Sequence, residues 1–177
     1  MCYLHGTWSL QIHFSNPKVN LASHAFSDSD WAGCLSDRLS VSGYVWFFYG
    51  GPIAHTFKKQ VMHALSTTKA KYMALSGCVQ EGLWLKFFIC SLHQSLSVSL
   101  YVHADNTAII SLAIMPSNHS NAHHINTCFH FIHEHVDHEV FELFWTSIFH
   151  NIADILTKPL ECHIFAKHCV VLFLVLC

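Results

Sequence analysis

The sequence predicts an α/β domain, a five-stranded mixed sheet flanked by helices. Three observations carry that expectation. Runs rich in β-branched and aromatic residues recur between residues 22 and 58, with turn residues between them. The hydrophobic period then becomes helical over residues 69–92. Beyond that helix, strand-like and helix-like segments alternate, as they do where crossover helices cover a partly parallel sheet.

Residues 22–30 read as the first strand. Val41–Tyr49 reads as the second and ends at Gly50-Gly51-Pro52, a strong turn. Ile53–Lys58 returns antiparallel to it. Ser66 or Thr67 offers an N-cap for the long helix. In that helix Ala70, Ala74, Cys78, Leu85 and Phe88 recur at near-helical spacing and mark its inner face. Ser97–Ala104 is strand-like and stops at Asp105-Asn106. Thr107–Met115 suits a short helix closed by Pro116, and Asn126–Asp137 suits another. Val140–Trp145 is the fifth strand, and Ala153–Thr157 opens a final helix that meets Pro159. The strand near residue 100 follows a long helix and so expects a parallel neighbour.

The chain of 177 residues suits one domain with a substantial core. Only 11% of residues are charged, against a usual share of about 25%, so the surface is poor in ionic groups. A formal net charge of −2 gives no electrostatic argument for a nucleic-acid partner. Seventeen His make the chain more cationic below neutral pH. Eight Cys without a CxxC pair read as free thiols in a reducing compartment. The start, MCYLHGTWSL, lacks the form of a secretory signal, so an intracellular location is expected. The nine apolar residues CVVLFLVLC at 169–177 are too few to span a bilayer, and no membrane partner is expected. They fit a core strand, a helix end or a membrane-seeking tail.

The stretch Phe26–Gly33, FSDSDWAG, places two carboxylates two residues apart at a strand end. Asp28 and Asp30 are expected to project to one face. A solvated turn explains them, and so does a cation held between them. Asp105 falls at another strand end and Asp154 near a helix start, the places where such sheets bind ligands.

Taken in order, FSDSDWAG, DRLSVSGYVWFF, GGPIAHTFKKQ, ALSTTKAKYMALS, EGLWLK, ADNTAI, INTCFHFIHEHV and ADILTKPL resemble the ribonuclease H region of copia-type retrotransposon Pol polyproteins. The resemblance runs from about residue 24 to 160. It implies a ribonuclease H-like domain over residues 21–160, preceded by a remnant of the connection from reverse transcriptase at 1–20 and followed by an apolar tail at 161–177. It makes the chain a fragment of a longer polyprotein. It also implies chemistry: four acids hold two Mg²⁺ or Mn²⁺ ions that cleave RNA in an RNA–DNA hybrid. By resemblance, Asp28, Asp105 and Asp154 are three of these catalytic, metal-binding acids. Lys71 stands where the second, a Glu, belongs, and the family Glu two residues earlier is Lys69.

Cys128 and His133 stand where the family tends to carry Arg, and Asn126 where Asp is common. Each of these replacements is reachable by one base transition, and the resemblance then implies the decay of an unselected genomic copy. The resemblance therefore implies an impaired nuclease. Glu81 and Glu134 are the acids that could replace the missing Glu in an active one. A third reading is a non-catalytic metal-binding module built on His130, His133, His135 and His138 with Glu134 or Asp137, although on one helix those four His fall on two faces. Trp31, Trp46, Trp84, Phe87 and Phe88 are expected in the core rather than as base-stacking platforms. Lys58-Lys59 fits a phosphate contact or a solvated turn.

Overall fold

The computed structural model describes residues 10–12, 14, 22–92, 98–114 and 123–172. Expectations for residues 1–9, 13, 15–21, 93–97, 115–122 and 173–177, among them the strand start at Ser97 and the helix end at Met115-Pro116, lie outside the described residues. Five strands, β1 (Ala22–Ser29), β2 (Val41–Phe48), β3 (Gly51–Lys59), β4 (Ser99–Ala104) and β5 (Phe141–Trp145), form one sheet in the order β3-β2-β1-β4-β5. The first three are an antiparallel meander. β1 pairs parallel with β4, and β4 parallel with β5, as the crossover argument requires.

The helices are α1 (Thr67–Leu92), α2 (Thr107–Ile114), α3 (His123–Asp137), α4 (Asp154–Thr157) and α5 (Cys162–Leu172), with a short 3₁₀ turn at Ile148–His150. Ser66 is the N-cap of α1: its hydroxyl accepts the Lys69 N–H at 3.2 Å. The stretch beginning at Ala153 does not open the last helix. α4 is a single turn ended before Pro159, and the separate helix α5 carries residues 162–172, so residues 169–172 of the apolar tail are a helix end.

The main core lies between the sheet and α1 to α3. It contains Ala25, Trp46, Tyr72, Leu75, Cys78, Val102, Ile109, Ile132 and Phe141, all buried. Trp46 is completely covered and donates its indole N–H to the Cys78 carbonyl at 3.0 Å. A smaller cluster of Val45, Phe47 and Ile152, with Phe26, Leu156 and Leu172 against it, fills the other sheet face.

Three expectations need correction. The turn after β2 is Tyr49-Gly50, with φ of 51° and 76°, and Gly51 already pairs with Phe48. Two left-handed residues in succession match the twist of a two-residue hairpin. Pro52 is then inside β3, which its position at the sheet edge allows. Lys58 and Lys59 also belong to β3 rather than to a turn, and Lys59 pairs with Asp37 at 2.5 Å. Finally, Trp46 is the one core member of the predicted aromatic set. Trp31, Trp84, Phe87 and Phe88 are exposed. Phe87 and Phe88 lie beyond Leu85, the last buried residue of α1, and the 84/88 pair shares an outward face where its rings stack at 5.4 Å. Trp31 lies in the loop after β1 and bonds the Ala64 carbonyl at 3.1 Å.

Helix α1 packs closely on the sheet at Gly82, where an added Cβ would lie 2.2 Å from Cζ2 of the buried Trp46 ring. Gly82→Ala is expected to destabilise the fold by about 1–3 kcal/mol, the usual range for overpacking. The urea midpoint should fall, and an unchanged midpoint would contradict this account of the contact.

Candidate functional site

Asp28 lies near the end of β1, Asp105 directly follows β4, and Asp154 opens α4. β1 and β4 are parallel neighbours, so the first two acids emerge at the same end of the sheet. Asp154 is brought there by local packing. Asp28 faces Gly43 across the β1–β2 ladder. A Cβ on Gly43 would lie 2.6 Å from Thr157 Cγ2 and 3.0 Å from Leu156 Cβ, so its absence lets α4 sit against the sheet. Asn151, fully buried, donates its side-chain N–H to the Ser27 carbonyl at 3.1 Å and accepts the Ala153 N–H at 3.3 Å. These contacts fix the segment that carries Asp154.

One oxygen from each of Asp28, Asp105 and Asp154 lies within 4.8 Å of the others. The three acids named by the resemblance are thus brought together. Asp30 does not join them. β1 ends at Ser29, and the Asp30 carboxylate turns back to accept the Val41 N–H. The loop-turn reading holds for Asp30 and the cluster reading for Asp28.

Lys71 reaches into the cluster from α1. Its Nζ lies 2.5 and 2.6 Å from the two Asp105 oxygens and 3.0 Å from Asp28 Oδ1. A second cation, Lys158, lies 2.9 Å from Asp154 Oδ2 and 3.6 Å from Asp28 Oδ2. Thr157 donates its hydroxyl to Asp28. Three carboxylates thus meet two ammonium groups, with the Asp28 and Asp154 side chains almost wholly buried.

Over 163 residues, 90% of the chain, the sequence is 35% identical to the Retrovirus-related Pol polyprotein from transposon RE2 of Arabidopsis thaliana. Over 158 residues it is 36% identical to that from transposon TNT 1-94 of Nicotiana tabacum. The chain spans only 11% and 12% of those polyproteins. The chain is a ribonuclease H-like domain of the copia-type retrotransposon Pol family. The fold agrees. The N-terminal RNase H domain of rv2228c from Mycobacterium tuberculosis matches 84% of this chain and 96% of its own, with a TM-score of 0.58 at 11% identity. LC11-RNase H1, solved in complex with an RNA/DNA hybrid, matches 76% of this chain and 93% of its own, with a TM-score of 0.54 at 12% identity. No protein-family model matches the chain.

In this ribonuclease H-like domain the three carboxylates are a donor set that could hold a divalent cation, since such ions take oxygen ligands. As the side chains stand, the place between Asp28 and Asp105 is filled by the Lys71 ammonium. Asp154 Oδ1 is the buried oxygen left without a hydrogen bond on its side of the cluster.

Burial alone would raise the Asp28 pKa, but Lys71, the Thr157 hydroxyl and Lys158 outweigh it and hold it below the usual carboxylate range. Lys71 is pulled down by burial, and its two aspartates more than reverse this, so it stays protonated well above neutrality. Asp154 goes the other way. Burial and the Asp28 charge push it up to about 7 in spite of Lys158.

Sequence reasoning missed Lys158, Asn151 and Gln60. Lys158 lies four residues after Asp154, one helical turn on, which was a usable signal. Gln60, buried, donates to Ser42 Oγ at 2.8 Å and to the Ala70 carbonyl at 2.9 Å, tying β2 to the first turns of α1 one residue before Lys71. No spacing announced that bond.

The histidine set on α3 does not assemble. His133 spends Nδ1 on the Ala113 carbonyl at 3.1 Å and Nε2 on Asp137 at 3.4 Å. His135 Nδ1 donates to the Phe131 carbonyl of its own helix at 2.7 Å. His130 and His138 are exposed. Among the described residues, the three aspartates are the only group of three or more potential metal ligands brought together.

Asp154 gives this site a pH signature. Its folded pKa of about 7 lies above the unfolded value of about 3.9. The folded state therefore binds the extra proton between those values, and the contribution of Asp154 to stability falls as pH rises from about 4 to 7. Asp28, shifted down, contributes stability that is lost only as pH falls below the unfolded carboxyl range. Comparing urea unfolding of the unaltered domain and Asp154→Asn, the variant should gain relative stability from pH 5 to pH 8. A constant difference across that range would contradict the assignment.

Proposed function

We propose that this domain derives from a nuclease acting on RNA–DNA hybrids and that Lys71 has disabled its metal-dependent cleavage. The observation that carries the reading is the Lys71 ammonium within 3.0 Å of both Asp28 and Asp105. In a two-metal site, cations about 3.5–4 Å apart stabilise the attacking and leaving oxygens. Here a protonated side chain takes the place of a cation between two of the acids. It offers no open coordination position, and its charge opposes a divalent ion. The cluster therefore does not fit a metal pair as it stands.

The hybrid as ancestral partner is supported by the Pol relatives and by the hybrid-bound LC11-RNase H1 of the same fold. An intracellular location goes with that partner, and no described helix is long and apolar enough to cross a membrane. The readings that restore a metal site have less support. Glu81 lies ten residues along α1 from Lys71, about 15 Å at helical rise. Glu134 is absent from the acid cluster. A histidine metal module lacks converging ligands.

The test is metal-dependent stability together with cleavage. The unaltered domain should gain no thermal stability from Mg²⁺ and should not cut a labelled RNA–DNA hybrid. Lys71→Glu should recover a site that Mg²⁺ stabilises, by about 2.7 kcal/mol when the ion is at a hundred times its Kd. Mg²⁺ stabilisation or hybrid cleavage by the unaltered domain would overturn the reading.

A further inference from the structure

The sheet face that carries Phe26 opens into a second feature. Between this face and α5 lies a cavity of about 460 Å³, within the range of small-molecule sites. Its walls are aromatic and imidazole. Phe26 and His103 stack in parallel, with centroids 4.8 Å apart and planes within 19°. His24 fixes the His103 ring through a nitrogen–nitrogen hydrogen bond of 3.3 Å. Trp145, exposed, also lines it.

Among the side chains lining this cavity, Lys167 carries the formal charge. Its Nζ donates to the Phe149 carbonyl at 3.3 Å, and among the described residues no carboxylate pairs with it. No Asp or Glu lines the cavity among the described residues. His168 forms part of the wall from α5, is 1% exposed, and has no hydrogen-bond partner for Nε2. A buried imidazole nitrogen without a partner is costly unless something supplies one.

We propose that this cavity is a nucleotide site that takes one flat base against the Phe26–His103 stack and Trp145, with its phosphate at Lys167. Stacking on aromatic rings suits any base, since every base has a π-face. The imidazoles offer donors and acceptors to a base edge, which a plain hydrocarbon ring would leave unmet. The absence of acids and the Lys167 charge favour an anion over a neutral ligand. The base and phosphate are the same whether they come from a free nucleotide or from the end of a single strand. The site depends on none of the carboxylate chemistry above, so it stands or falls separately from the nuclease reading.

The test is calorimetric titration of the full chain with adenosine 5′-monophosphate, adenosine and inorganic phosphate. The monophosphate should bind with a Kd of about 1 mM or tighter. Trp145→Ala should weaken it about tenfold, the scale of one lost stacking contact. Lys167→Gln should weaken the monophosphate several-fold and leave adenosine unchanged. Both residues are exposed, so neither change should disturb the fold, and circular dichroism checks this. A 5′-phosphorylated oligoadenylate that binds tighter than the monophosphate assigns the site to a strand end; weaker or equal binding assigns it to a free nucleotide. The proposal is overturned if the monophosphate gives no binding, if inorganic phosphate binds as well as it does, or if both variants bind normally. It is equally overturned if Lys158→Gln abolishes binding while Lys167→Gln does not, which would move the ligand to the carboxylate cluster.

Discussion

The contact between Lys71 and the paired carboxylates of Asp28 and Asp105 is the constraint on which this end of the molecule depends. Three acids on three separate elements converge there, and their repulsion has to be answered for β1, β4 and α4 to meet. At an effective dielectric near 20, one ion pair at about 4 Å is worth about 4 kcal/mol before desolvation is set against it. Desolvation of buried ions is of similar size, so the net gain is modest. Removing one partner is different, because the charge left behind stays buried. The ammonium therefore holds together a cluster of three carboxylates that could otherwise hold a divalent cation, and Lys158 and the Thr157 hydroxyl answer the remaining charge of Asp28.

Most of the fold was legible because periodicity reports burial directly. The five strands, the long helix and its Ser66 cap follow from patterns that depend only on neighbours in sequence. Errors arose where a local signal had two structural solutions. Gly50-Gly51-Pro52 reads as a turn in any context, but the hairpin needed two left-handed residues in succession and took Tyr49 and Gly50. The aromatic run 84–88 has the composition of a core, but Trp84, Phe87 and Phe88 face outward while Leu85 is buried and Ile89 and Cys90 pack against the core.

The site divides along the same line. Asp28, Asp105, Asp154 and the intrusion of Lys71 were readable from ordered motifs, because a family pattern encodes tertiary proximity that spacing cannot. Asp30 was misplaced because the i, i+2 rule holds only inside a strand, and β1 stops one residue short of it. Asn151 and Gln60 act through hydrogen bonds to backbone and hydroxyl groups far away in sequence. A polar residue in a loop carries no mark of such a bond before the fold exists.

The outward stripe of Trp84, Phe87, Phe88 and Leu92 on α1 also governs how the domain behaves at concentration. The chain is only 11% charged, and its pI of about 6.8 leaves a small net charge near neutrality. Colloidal repulsion is then weakest at the pH where most proteins are handled, and the sticky helix end is free to find another copy. Moving the pH below the isoelectric point restores repulsion without altering the stripe. Mildly acidic buffer is thus the natural storage medium for this domain, and neutral buffer the one that favours precipitation.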